Sequence, residues 1–391
     1  MKKLKLIFAG TISFLLISSI LFASFSQTFA MSPTTTIEQS MAKNAKAATL
    51  IDFDTGSIVF EKNVDAKYPI ASMVKIMTLL LAFEQIESGL MSVNAPISIS
   101  ENAASMGGSQ AFLDANTQYK AGDLLKSIVV ASANDSCVAL AEHIAGSVES
   151  FVQRMNERAA KLGMNNTNFV NCTGLPAPNG YSTARDVSLM MRQLLGHSGF
   201  FDYASVWTFD FAHNSGRTTT LTNTNKLING YKGCDGGKTG FTQEASYCLA
   251  ATAKRNNTRL ISVVMGVKDS KLRNFEVSQL FNHGFGNFET RQFVFKDKPL
   301  QEITIKKARQ PQLLVAPKDN FFYFTQKTKK PNINHEITLL QNVAPIKKGQ
   351  KIGTLTLTQD SEPLKEIDMV ATQDVAQQQF VDVLQKIAKQ W

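Results

Sequence analysis

Three short patterns in the chain combine residue types that can carry out acyl transfer. Ser72-Met73-Val74-Lys75 pairs a hydroxyl with an amine three positions later, Ser132-Ala133-Asn134 pairs a hydroxyl with an amide, and Lys238-Thr239-Gly240 sets a cation and a hydroxyl beside a glycine. A serine hydroxyl is a weak nucleophile and needs a base within hydrogen-bond reach; on a helix, a residue three positions on lies on the same face, one turn along. Ser72 and Lys75 meet that spacing. Lysine serves as a base only when neutral, and burial beside a second cation, for which Lys238 is the candidate, is the physical route to that state. A helix that begins at Ser72 adds a positive field where an oxyanion forms.

Taken singly, the patterns are common. Ser40-Met41-Ala42-Lys43 has the first spacing too, and Ser92-Val93-Asn94 and Ser100-Glu101-Asn102 have the second. Context separates them: Ser40 lies in a polar leader and Ser92 and Ser100 in loop-like sequence, whereas Ser72 heads the most apolar helix of the chain. Lys-Thr-Gly occurs once, where composition alone gives roughly a tenth of an occurrence. Each residue also has a plain structural reading. Ser72 could be a helix N-cap with Lys75 solvated in the first turn, Ser132 and Asn134 could cap the next helix, and Lys238 could be an ordinary strand lysine. A lysine is poorly placed at the start of so apolar a helix without a task, and an N-cap at Asn134 is compatible with a second role.

These residues need a scaffold, and the hydropathy pattern describes one. Ala47 to Asp52 and Ser57 to Glu61 read as strands joined by a turn at Asp54-Thr55-Gly56. Ser72 to Glu87 is apolar nearly all round, as a fully buried helix must be. Helices follow from Ser147 to Gly163 and from Thr183 to Gly196. Strands return at Lys238 to Thr242, Ser246 to Ala253 and Arg259 to Val267, the last two joined at Asn256-Asn257, and a helix from Leu272 to Phe281 completes the unit. Strands at both ends of a helical insertion predict an α/β (α+β) domain: a mostly antiparallel sheet with helices on its faces. From residue 289 to 371 short alternating runs such as Phe321 to Phe324 and Thr354 to Leu357 predict a small all-β domain. Residues 372–391 read as an amphipathic helix with Phe380, Val383, Leu384, Ile387 and Trp391 on one face, too polar to span a bilayer. Its acids Asp374 and Asp382 nearly balance Lys386 and Lys389.

Composition narrows the function. The chain has 391 residues, 43% hydrophobic and 19% charged, which excludes a disordered protein. Lys2, Lys3 and Lys5 precede an apolar run, and Thr28-Phe29-Ala30 offers a cleavage site, so residues 1–30 read as a secretory signal peptide. Its removal lowers the formal charge from +9 to about +6, which still favours an anionic surface. Residues 31–288 are then expected to form the catalytic domain of an exported protein. The five histidines are scattered, with no pair at metal-ligand spacing; no Gly-rich phosphate loop and no basic run interleaved with aromatics occurs. A zinc hydrolase is therefore disfavoured, and nucleotide and nucleic-acid functions fall away. Four cysteines allow three pairings; Cys137 and Cys248 read as buried in a helix and a strand, and a core this large requires no disulfide.

The runs Pro69 to Thr78, Ser132-Ala133-Asn134-Asp135, Leu162 to Phe169, Ser182-Thr183-Ala184, Asn223-Thr224-Asn225 and Asp235 to Thr242 together resemble the low-molecular-mass penicillin-binding proteins of the D-alanyl-D-alanine carboxypeptidase family. The resemblance covers about residues 45 to 285 specifically, and the remainder by arrangement. It implies a penicillin-binding, β-lactamase-like fold, no cofactor, peptidoglycan stem peptides as substrate and β-lactam antibiotics as covalent inhibitors. By the same resemblance Ser72 is the nucleophile and Lys75 its base, and Ser132 relays a proton to the leaving amine. Asn134 holds the substrate amide, Lys238 and Thr239 bind the terminal carboxylate, Gly240 leaves room for that approach, and the N–H groups of Ser72 and Phe241 form the oxyanion hole. The terminal helix is then expected to hold the enzyme on the outer, extracytoplasmic face of the cytoplasmic membrane, with docking on the β-domain as the alternative. A D,D-endopeptidase shares every one of these residues. A β-lactamase needs a Glu-x-x-Leu-Asn segment between the second and third motifs, and the chain has none; an idle wall-binding protein would carry a broken motif, and none is broken.

Overall fold

Strand residues of this chain alternate between two apolar faces, and the fold covers both. The computed structural model describes residues 41–340 and 342–388; the expected signal peptide, Ser40 and Trp391 lie outside the described residues. Strands β1 (Ala47–Asp52), β2 (Ile58–Lys62), β3 (Cys234–Thr242), β4 (Ser246–Arg255) and β5 (Thr258–Val267) form one antiparallel sheet in the order β2-β1-β5-β4-β3. Along β5, Ile261, Val263 and Met265 enter the core under the helical insertion, while Leu260 and Val264 enter a second core on the opposite face. Burial on both faces explains why β1 reads as a continuous small and apolar run rather than an alternating one.

The insertion between β2 and β3 supplies α1 (Lys75–Glu87), α2 (Ala121–Ala131), α3 (Asn134–Ala145), α4 (Val148–Lys161) and α5 (Ala184–Leu194). Helix α1 runs through the middle of its core, with Ile76, Met77, Leu79, Leu80, Ala82 and Phe83 all buried. Ser147 and Thr183 accept from the backbone N–H groups of Ser150 and Asp186 as N-caps. Helix α6 (Ser270–Asn287) covers the other face and exceeds the predicted Leu272 to Phe281 at both ends. Asp269 caps it by accepting from Lys271 and Leu272, and Gly284 does not stop it: an added Cβ there would lie 2.4 Å from a Leu260 methyl, so this glycine answers to packing.

Beyond α6, β6 (Phe288–Val294) pairs with β9 (Phe321–Gln326), and β7 (Gln301–Thr304), β8 (Gln312–Pro317), β10 (Ile333–Leu339), β11 (Lys351–Gln359) and β12 (Glu362–Ala371) make a sheet in the order β7-β8-β12-β11-β10. Sequence reading misses β8 and β12, whose prolines at 311, 317 and 363 break the strand pattern. Residues 372–379 are not helical. Val375 pairs with Ile346 and is buried in the β-domain core, and Gln377 bridges to Ala308. Among the described residues of the expected segment, the helix is α7 (Phe380–Ala388).

Ser72 does not begin an α-helix. It sits in a tighter 3₁₀ turn, Ala71–Val74, and α1 starts at Lys75. Ala71 is in the left-handed region, at φ +46°. Gly174 presses on this turn so closely that an added Cβ would lie 2.0 Å from the Ala71 carbonyl oxygen, and Gly240 of β3 approaches from another side, its added Cβ 2.6 Å from the Ile70 carbonyl oxygen. Two backbones without side chains therefore clamp the turn. Gly174 (φ +80°) and Gly216 (φ +82°) share a backbone conformation, but Gly216 has open space around it. Alanine at 216 should cost only the conformational strain, about 1–2 kcal/mol, whereas alanine at 174 should cost at least about 3 kcal/mol in denaturant unfolding. Equal losses at both positions would contradict the clamp.

Candidate active site

The core turn brings a hydroxyl and an amine together in a dry place. Lys75 Nζ donates to Ser72 Oγ at 2.9 Å and to the Thr173 carbonyl oxygen at 2.5 Å, and its side chain is wholly buried. Ser132 closes α2 in the left-handed conformation, at φ +66° and ψ +32°. That turn carries its hydroxyl into the interior, where the Oγ has no hydrogen-bond partner among the described residues. Ala133, not Asn134, occupies the N-cap of α3 and offers no side-chain cap, so capping does not explain the Ser-x-Asn pattern. Asn134 Nδ2 donates to the Gly107 carbonyl oxygen at 2.6 Å, while its buried Oδ1 is left unpartnered. Orphaned buried polar atoms are rare and costly in folded proteins, and two of them, two residues apart at the α2–α3 junction, mark a candidate ligand site.

Asp135 does the structural work of this corner. Its carboxylate accepts from the backbone N–H groups of Ala111, Leu113 and Ser136, which holds the 107–113 loop against α3. Lys238 is buried on β3, with Nζ donating to the Thr239 carbonyl oxygen at 3.2 Å. Thr239 Oγ1 donates to Thr224 Oγ1 at 2.8 Å, and the Thr224 N–H donates to the Val130 carbonyl oxygen at the end of α2, so the third motif is tied to the second through a single residue. The Phe241 ring points outward, 53% exposed and tilted against the Tyr247 ring at 4.3 Å between centroids. Gly240 does not open space for a substrate as expected: its bare face meets the Ile70 carbonyl oxygen and the Ala71 and Met73 side chains, and its smallness lets β3 reach the nucleophile turn. The decoys are absorbed elsewhere. Ser100 caps the short helix Glu101–Ala104 and Ser92 accepts from Asn94 in a turn.

Electrostatics follow from burial. Desolvation pulls the Lys75 amine below its ordinary value, opposed by the charge of Asp135. Lys238 is pulled down further, by burial first, then by the charge of Lys75 and that of Arg273. The thiols nearest Lys75 offer no counter-ion: burial pushes Cys172 up to about 12 and Cys137 higher still, so both stay neutral at physiological pH. All four cysteines are free. Arg273 is a residue that sequence reading missed. It lies buried in the first turn of α6 with its guanidinium bonded to Asn274, and its charge acts on Lys238. The available signal was an arginine on a buried helix face that also carries Glu276, which alone does not point to a site 35 residues away. Among the described residues, no cluster of His, Cys, Asp and Glu could hold a metal.

Strand β3 is the sheet's edge, so its outer backbone groups lack a strand partner alongside this site. The arrangement suits a peptide that lies along β3, presents an anion to Lys238 and a carbonyl to Ser72.

Residues 33–269 match the family model described as D-alanyl-D-alanine carboxypeptidase, and residues 288–377 match the model described as the C-terminal domain of penicillin-binding protein 5. The chain is 38% identical over 353 residues to the D-alanyl-D-alanine carboxypeptidase DacF of Bacillus subtilis, covering 90% of this chain and 91% of that one. It is 34% identical over 236 residues to a D-alanyl-D-alanine endopeptidase of Pseudomonas aeruginosa, covering 59% and 73%. Among solved structures it resembles penicillin binding protein 5 from Haemophilus influenzae, with a TM-score of 0.67, 32% identity and coverage of 85% of this chain and 98% of that one. On the motif geometry and these matches, the chain belongs to the D-alanyl-D-alanine carboxypeptidase family.

Proposed function

We propose that this enzyme removes the terminal D-alanine from peptidoglycan pentapeptides through an acyl-enzyme at Ser72. The observation that carries the reading is the 2.9 Å bond between a buried, charge-starved Lys75 and Ser72 Oγ. Neutral Lys75 takes the hydroxyl proton as Oγ attacks the carbonyl of the penultimate D-alanine. The backbone N–H groups of Ser72 and Phe241 receive the oxyanion, held in register by the clamp on the turn. Ser132, whose Oγ has no other partner among the described residues, passes a proton to the departing D-alanine nitrogen, and water then frees the shortened peptide. Asn134 Oδ1 accepts from the substrate amide. Lys238 and Thr239 hold the terminal carboxylate.

The two lysines are coupled through that carboxylate. An anion docked at Lys238 favours the ammonium there, and that charge in turn disfavours one on Lys75. Substrate binding therefore shifts the pair toward a charged Lys238 and a neutral Lys75. A β-lactam carries the same carboxylate and a strained amide, so it acylates Ser72 in the same pose. The test is covalent labelling with a fluorescent penicillin together with D-alanine release from a pentapeptide. Ser72→Ala should abolish both, since removal of an acyl-transfer nucleophile costs several orders of magnitude in rate. Labelling that persists in Ser72→Ala would overturn the assignment, and product analysis on a cross-linked dimer separates carboxypeptidase from endopeptidase action.

The apolar stripe of α7 supports attachment to a membrane surface. Phe380, Val383, Leu384 and Ile387 recur at helical spacing and are all exposed, Phe380 at 74%. The helix is tied to the β-domain by Asp382 to Arg309 on its polar side, which leaves the stripe uncovered. No helix among the described residues is long and apolar enough to cross a membrane. With the basic, apolar segment at residues 1–30, the stripe supports a reading in which the enzyme works outside the cytoplasmic membrane, peripherally bound to it. Truncation before Phe380, which spares Val375 and the rest of the β-domain core, should move the protein from the membrane to the soluble fraction while penicillin labelling continues. Unchanged partitioning would contradict the anchor.

A further inference from the structure

Beside the nucleophile turn, lined by Ile70, Ala71 and Val74, lies a groove that the catalytic steps leave unused. Its walls enclose about 430 Å³, including the part open to solvent. Ile70, Val74, Phe169, Leu175 and Pro176 make an apolar lining, and Glu244 stands beside Thr242 just beyond the end of β3. Glu244 is the single charged side chain among the lining residues; it is exposed and makes no ion pair among the described residues. The other polar groups are engaged. Asn168 Nδ2 donates to the Asn179 carbonyl oxygen, and Asn171 donates to Leu175 and accepts from Thr173 and Gly174. Lys67 stacks on the ring of Tyr181, 4.8 Å from its centroid, and does not pair with Glu244.

An apolar trough ending in an uncompensated carboxylate fits a linear aliphatic side chain tipped by an ammonium. We propose that this groove receives the side chain of the stem-peptide residue that precedes the scissile D-Ala-D-Ala, and that Glu244 selects a free terminal amine there. The inference rests on the carboxypeptidase reading, which fixes the direction of the bound peptide. With its carboxylate at Lys238 and Thr239, a peptide antiparallel to β3 runs toward Thr242, three residues or about 10 Å along the strand. Two residues of extended substrate cover about 7 Å, and the side chain spans the remainder.

The experiment compares D-alanine release from Nα-acetyl-Lys-D-Ala-D-Ala with a free Nε amine, and from the same peptide acetylated or succinylated at Nε. The wild type should favour the free amine by about fivefold in kcat/KM, the size of an exposed ion pair, and the preference should shrink at high salt. Glu244→Gln should bring the free-amine and acetylated peptides to equal values. Glu244→Lys should prefer the succinylated peptide, a gain that misfolding cannot produce. Penicillin acylation of each variant reports an intact Ser72 site. Turnover of the peptides without preference, or a preference that survives Glu244→Gln, overturns this inference alone; absence of D-alanine release from every peptide overturns the carboxypeptidase reading with it.

Discussion

The site depends on two amines held where water cannot reach them. Lys75 and Lys238 are both nearly without exposed surface, and Lys75 bonds to a hydroxyl and a carbonyl rather than to an acid. A buried ammonium without a bonded counter-ion is strongly disfavoured, so the fold itself supplies the driving force that turns lysine into a base. The cost appears in stability. A lysine whose folded pKa is lowered binds fewer protons folded than unfolded, so the penalty is complete below the folded pKa and is relieved as pH rises toward the unfolded value near 10.5. The two residues therefore disfavour the fold most in acid, where both amines must stay charged in the interior, and the large double core offsets that loss.

The remaining architecture keeps the amines in place and aims the hydroxyl. Gly174 and Gly240 hold the turn at Ala71–Val74 by backbone contact, which fixes Ser72 without a side chain that could move. Asp135 pins the 107–113 loop, which in turn accepts from Asn134, and the link from Val130 through Thr224 to Thr239 joins helix α2 to the edge strand. Chemistry is therefore assembled from three distant chain segments whose relative positions are set by backbone and buried polar bonds. Positional error of about 1 Å at such a site costs roughly a hundredfold in rate, which accounts for so much rigid structure around a single serine.

Much of this was legible in the residues because the chemistry restricts their types. Ser72 with Lys75 at helical spacing, Ser132 with Asn134, and Lys238-Thr239-Gly240 stood out by context, and the strand and helix periods described the sheet and its cover. Other features were settled by partners remote in sequence. The 3₁₀ turn in place of a helix start is imposed by Gly174, a hundred positions away, and Gly240 looked like a substrate-facing glycine until the Ile70 carbonyl oxygen and the Ala71 side chain appeared against it. Arg273 gave only a charged residue on a buried helix face as a signal, because its role is the charge it adds near Lys238. Residues 372–379 carried an amphipathic pattern, yet backbone pairing of Val375 with Ile346 draws them into the β-domain as an extended strap.

The claim on which the account stands is that Lys75 is neutral when Ser72 attacks. Its most direct test is an NMR titration of the protein labelled with ¹³C at lysine Cε, with Lys75 assigned through Lys75→Met. The account predicts a Lys75 resonance that titrates below the ordinary lysine value of 10.5, and further down when a non-hydrolysable peptide carboxylate is bound. A Lys75 that titrates at or above 10.5, or that gains rather than loses its proton when the carboxylate binds, would contradict it.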